Sequence, residues 1–99
     1  MDKILLQKNI IDQLNKDLQL SGFKPILDFD KDLNSNLNIM ISFLTKNISD
    51  NLSNLYPFLY RLDLEESHIK NVLELDIEQF VYLVFNRAKK KVVFKTNFN

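Results

Sequence analysis

Apolar residues recur over the first twenty positions at helical intervals. Ile4, Ile11, Leu14 and Leu18 are spaced by three, four or seven, with Leu6 and Ile10 beside them and polar residues opposite. This spacing gathers one apolar face and predicts an amphipathic helix over residues 2–20. Ser21-Gly22 predicts its end, because glycine accepts the left-handed backbone that a helix C-cap needs. Residues 23–33 break the pattern. Pro25 and the alternating Asp28, Asp30 and Asp32 disfavour regular structure. Phe23, Ile26, Leu27 and Phe29 predict a packed connection and not a floppy one.

A longer run follows at Leu37, Ile41, Leu44, Ile48, Leu52, Leu55, Leu59 and Leu62, every step being three or four residues. It predicts helix, with Asn34 or Ser35 as the N-cap. Cap-type residues at Asn47-Ile48-Ser49-Asp50 divide the run, and Pro57 lacks the backbone donor an unbroken helix uses. The expectation is helices at 35–47 and 50–61, with a kink or irregular turn near Pro57. Asp63-Leu64-Glu65-Glu66 reads as a capping box opening a short helix to Leu73. Asp76-Ile77-Glu78-Gln79 repeats it ahead of a last helix whose face is Ile77, Phe80, Val81, Val84, Ala88 and Val92. That segment has a rival reading. Residues 80–85 are almost all strand formers, and Val92-Val93-Phe94 would supply a partner strand for a C-terminal hairpin. The absence of an Asn-Gly or Asp-Gly turn favours helix. The fold class expected is therefore all-α, a single small bundle of four or five helices over 1–99, frayed from about 93. The alternative is α+β with that hairpin.

Composition narrows the function classes. The chain has 99 residues, 45% hydrophobic and 26% charged, which suits one folded domain. It has no cysteine, so disulfides, thiolate metal sites and thiol catalysis are excluded. The single glycine precludes a glycine-rich phosphate loop, and the six serines form no nucleophile elbow. No apolar run approaches the roughly 20 residues of a membrane span, and the N-terminal residues do not read as a secretory signal. A cytoplasmic protein without a membrane association is expected. The bias towards Asn, Lys, Ile and Phe is that of an AT-rich bacterial genome.

Lysine plus arginine equals aspartate plus glutamate at 13 each. That balance argues against a dedicated nucleic-acid binder. The charges are nonetheless segregated: residues 63–78 carry −5 and residues 79–99 carry +5. Arg87, Lys89, Lys90, Lys91 and Lys95 form a candidate basic patch, with Phe94 and Phe98 available for stacking. The simpler reading is that bases ending a helix complement its dipole.

The segment Leu55-Tyr56-Pro57-Phe58-Leu59-Tyr60-Arg61-Leu62-Asp63-Leu64-Glu65-Glu66, with the later Val84-Phe85-Asn86-Arg87 and Lys90-Lys91-Val92, resembles a group of short helical bacterial proteins common in Bacteroidota. Pro57 departs from their pattern. The resemblance implies a helical fold and carries no activity. It draws together Tyr60, Arg61, Asp63 and Arg87 as a structural or interaction cluster. Tyr56, Tyr82, Leu83 and Phe58 widen their helices' apolar stripes and join the candidates for a contact surface.

Other candidates for chemistry have plain structural readings. Asp28, Asp30 and Asp32 open like a calcium loop, but Leu33 and Ile39 stand where glycine and a bidentate glutamate are required. His68 is the only histidine and lacks a second ligand or an orienting partner. No catalytic, metal or cofactor residue is expected. The sequence suggests a non-enzymatic interaction or accessory module, with an unidentified protein or a second copy as partner. The alternative is a nucleic-acid-associated protein using the basic segment.

Overall fold

The structure is a computed structural model, described for residues 3–64 and 76–98, with the side chains of 96–98 left aside. Four helices run through these residues: α1 Lys3–Leu20, α2 Leu33–Asp50, α3 Leu52–Arg61 and α4 Ile77–Phe98. No strand occurs among them. The C-terminal hairpin is thus replaced by a helix that continues beyond residue 93. The expected short helix to Leu73, with Glu65, Glu66 and His68, lies outside the described residues.

The last helix wins over the hairpin through packing. Phe80, Val81, Val84, Phe85, Ala88 and Val92 are all buried. Their spacing of three and four puts strand-forming residues on one helical face. Burying that face outweighs the small χ1 cost of β-branched residues in a helix. Tyr82 stays exposed and Leu83 half-buried, on other sides of the helix.

α4 packs against α1 and α2, and α3 against α2 and α1. The shared core takes Leu14 and Leu18 from α1, Met40 and Leu44 from α2, and Leu55, Phe58 and Leu59 from α3. Phe58 is fully buried, so it belongs to the core and not to a contact surface. Its ring meets Phe43 edge-on at 5.9 Å and Phe23 at 6.4 Å, and Phe23 meets Phe43 at 5.0 Å. Such edge-to-face pairs add about 0.5–1.5 kcal/mol each beyond burial.

Two helix ends explain the chain's path. At the end of α1, Gly22 takes φ +90°. Gly22 N–H donates to the Gln19 carbonyl at 3.1 Å and Phe23 N–H to the Leu18 carbonyl at 2.9 Å. This closes the helix with a left-handed cap and turns Phe23 inward. α2 begins earlier than expected because Asp32, and not Asn34 or Ser35, is the cap: its Oδ1 accepts from Ser35 N–H at 2.7 Å. The run from Leu37 breaks only at Asn51, so residues 48–50 remain helical. α3 continues through Pro57. Ile4, expected on the apolar face of α1, is 66% exposed.

Candidate functional site

The connection between α1 and α2 is the least regular backbone described, and two side-chain amides hold it. Asn15 Nδ2 donates to the Leu27 carbonyl at 3.0 Å, and Leu27 N–H donates back to Asn15 Oδ1 at 3.1 Å. Asn36 does the same one residue later. Asp28 N–H donates to its Oδ1 at 2.9 Å, and its Nδ2 donates to the Asp28, Lys31 and Asp32 carbonyls at 3.0–3.2 Å. Each amide stands in for the peptide partner a strand would supply, which satisfies backbone groups a packed loop must otherwise bury unpaired. Asn36 is 1% exposed, so its four bonds act in a desolvated setting.

The aspartates of this loop serve the same purpose. Asp28 Oδ1 accepts from Asp30 N–H at 2.9 Å, and Asp32 caps α2. The Ser35 hydroxyl and N–H beside Asp32 hold its carboxyl below its ordinary value. A carboxylate that accepts donated hydrogens favours its charged form. The Asp28, Asp30 and Asp32 run is therefore a turn followed by a cap. No group of three or more metal-ligating side chains gathers among the described residues.

This braced loop and the first turns of α1 enclose an apolar notch of about 50 Å³. Ile10, Ile11 and Asn36 line it alongside three exposed apolar side chains, Ile4, Phe29 and Leu33. Lys8 and Lys31 also line it, and among the described residues no acidic one does. Known small-molecule pockets run about 300–1,000 Å³, so this notch suits one side chain and not a cofactor.

The residues singled out around Asp63 meet at a second place. Asp63 ends α3 in the left-handed region, at φ 59°. Its carboxylate takes the Arg87 guanidinium from α4. That donated hydrogen and the guanidinium charge, with Lys91 contributing, hold the Asp63 carboxyl below its ordinary value. Arg61 participates through its backbone: its carbonyl accepts from Lys91 Nζ at 2.8 Å. The same ammonium lies 3.9 Å from Asp17 of α1, a buried carboxylate that also accepts from Gln13 Nε2 at 3.2 Å. Lys95 Nζ donates to Gln13 Oε1 at 2.8 Å. Arg87, Lys91 and Lys95 are four residues apart, so one stripe of α4 carries all three into its contacts with α3 and α1.

The expected basic patch is thereby divided. Half-buried Lys91 and exposed Lys95 are tied by hydrogen bonds to the Arg61 carbonyl and to Gln13, whereas Lys89 and Lys90 lie on the exposed side of α4. Among the tyrosines, Tyr60 is exposed with its ring 6.4 Å from that of half-buried Tyr56. Tyr82 borders a shallow, partly polar cleft with Asn34, Asn38 and Glu78. No described helix is long and apolar enough to cross a membrane. Asn15, Asn36, Asp17 and the notch residues Lys8 and Lys31 had no distinguishing local signal. The one available clue was the apolar content of the loop, since a packed loop requires polar partners from neighbouring helices.

Comparison of the chain with protein-family models, with curated proteins and with solved structures finds no match to any of them.

Proposed function

We propose that the protein is a non-enzymatic helical interaction module that docks a partner protein through the notch between α1 and the α1–α2 loop. The observation that carries this reading is the exposure of Ile4, Phe29 and Leu33 around one apolar depression, at 66%, 46% and 42%. Single exposed apolar side chains are ordinary, but several converging on a concave feature favour a contact site. Covering them returns about 25 cal/mol per Å² of apolar surface. The loop that presents Phe29 is braced by the amides of half-buried Asn15 and buried Asn36, so little ordering entropy is lost on docking. The surface hydrogen bonds that tie Lys91 to the Arg61 carbonyl and Lys95 to Gln13 support this reading over nucleic-acid binding, which draws on many cations along a surface.

The test is a selection of short random peptides displayed on phage against the immobilised protein, beside a gel shift with random oligonucleotides titrated with salt. The expected result is enrichment of peptides whose binding is lost in Phe29→Asp, with no oligonucleotide retained at physiological salt. Failure to enrich any peptide, with oligonucleotide retention that Lys89→Gln and Lys90→Gln abolish, would replace this reading with the nucleic-acid one.

A further inference from the structure

We infer that the cleft between α2 and α4 receives an arginine side chain of a partner protein, a contact separate from the notch. The cleft holds about 220 Å³, below the roughly 300–1,000 Å³ of small-molecule pockets, so it suits one long side chain. Its lining divides by chemistry. Leu37 and Val81 are buried and Ile41 is half-buried, and these three supply apolar surface. Asn34, Asn38, Glu78 and Tyr82 are exposed and supply polar heads and one aromatic ring. Among the described residues, none of those four side chains is spent on a hydrogen bond or an ion pair. Asn15 and Asn36, by contrast, use their amides on the loop backbone.

Apolar surface edged by acceptors matches a side chain with a long stem and a donor head. Glu78 is the one charged group in the described lining. Lys31, the nearest cation in sequence to Asn34, lines the notch and not this cleft. Lys89 follows Tyr82 by seven residues, about 10 Å further along α4. Asn34 and Glu78 are each the second residue of their helix, so α2 and α4 both begin at this cleft. Their positive ends oppose a cation, but each already has a carboxylate cap. Asp32 accepts from Ser35 N–H at 2.7 Å and Asp76 from Glu78 N–H at 2.9 Å. The Glu78 carboxylate is negative charge beyond that compensation. A neutral apolar occupant would desolvate it without a partner. Guanidinium suits the lining better than ammonium. Its planar face stacks on a tyrosine ring, and its five donors serve carboxylate and carboxamide oxygens.

The experiment titrates an acetylated and amidated glycine–arginine–glycine tripeptide into the isotopically labelled full chain. It should shift the amides of Asn34, Asn38, Glu78 and Tyr82 saturably. Citrulline in place of arginine keeps the shape without the charge and should weaken binding by about threefold or more. Lysine in its place should also bind more weakly, lacking the planar fork. Glu78→Gln and Tyr82→Leu should each weaken the arginine tripeptide by about threefold. Both positions are exposed, so the variants should fold, and an unchanged far-ultraviolet spectrum checks that they do. Phe29→Asp should leave this titration unchanged, which separates it from the test of the notch. Equal affinity for citrulline or lysine would overturn the inference, as would shifts that never saturate or that miss these four amides. Shifts abolished by Phe29→Asp would place the peptide at the notch and overturn it too. Concentration-dependent shifts of the same amides without peptide would make a second copy the occupant, against a partner protein.

Discussion

Replacing Asn36 by alanine should destabilise the protein by about 2–4 kcal/mol, although asparagine is among the least conspicuous residues of its sequence. The side chain makes four hydrogen bonds from a position that is 1% exposed. A neutral hydrogen bond contributes about 0.5–1.5 kcal/mol net, and the NH2 group has two hydrogens to share among three carbonyls, so with the bond to Oδ1 about three bonds set a ceiling near 1.5–4.5 kcal/mol. The top of that range does not apply. Lys31 and Asp32 lie at the surface, where water can reach carbonyls that lose Nδ2. The Asp32 carbonyl also keeps a bond from Asn36 N–H at 3.2 Å. A domain of this length has about 5–15 kcal/mol of stability in total. The loss should appear as a fall in Tm on the order of 10–25 °C and a lower urea midpoint at unchanged slope. Asn36→Asp should be worse, because it sets a carboxylate against three carbonyls in a buried position. Asn34→Ala is the control: Asn34 is exposed, and the change should cost under about 0.5 kcal/mol. An Asn36→Ala protein within 1 kcal/mol of the parent, or an Asn34→Ala protein equally damaged, would refute the account of the loop as braced by that amide.

Lys91→Met should cost about 1–3 kcal/mol by chemical denaturation, since it leaves buried Asp17 without its neighbouring ammonium and the Arg61 carbonyl without its donor. Asp17→Asn should then cost less in the Lys91→Met background than alone, and strict additivity would argue against the contact. Asp32 and Asp63 have folded-state carboxyls below the ordinary value of 3.8. Their stabilisation is present above that pH and lost as pH falls through the folded values, so Asp63→Asn should lower the neutral plateau of a stability–pH profile, leave its acid end less affected and thereby flatten the acid limb. Lys89→Gln with Lys90→Gln should change stability by under about 1 kcal/mol and leave peptide binding intact, as titration and thermal melting would show. Pro57→Ala should raise Tm modestly, because Pro57 removes a backbone donor within α3 and its ring crowds the carbonyl one turn earlier.

Spacing of three and four residues was enough to determine that the chain folds as helices, and Gly22 marked the end of the first. These are local properties: a helix joins residues close in sequence, and a left-handed cap needs only a residue without Cβ. Propensity alone left residues 77–92 divided between helix and hairpin. The core decided the matter, because only the helical form buries Phe80, Val81, Val84, Phe85, Ala88 and Val92 on one face. The bracing of the loop was decided by tertiary structure as well. Asn15 meets Leu27 across twelve residues and Asn36 meets Asp28 across eight. Nothing in an asparagine's immediate neighbours distinguishes one that reaches solvent from one that completes a distant peptide group. The same holds for the lysines. Arg87, Lys91 and Lys95 read as a basic tail until the packing of α4 turned that stripe onto Asp63, the Arg61 carbonyl and Gln13. Lys8 and Lys31, ordinary in sequence, came to line the notch only when α1 and the loop closed around it. Periodicity records which residues share a helix face; what that face meets depends on elements brought together by the whole core.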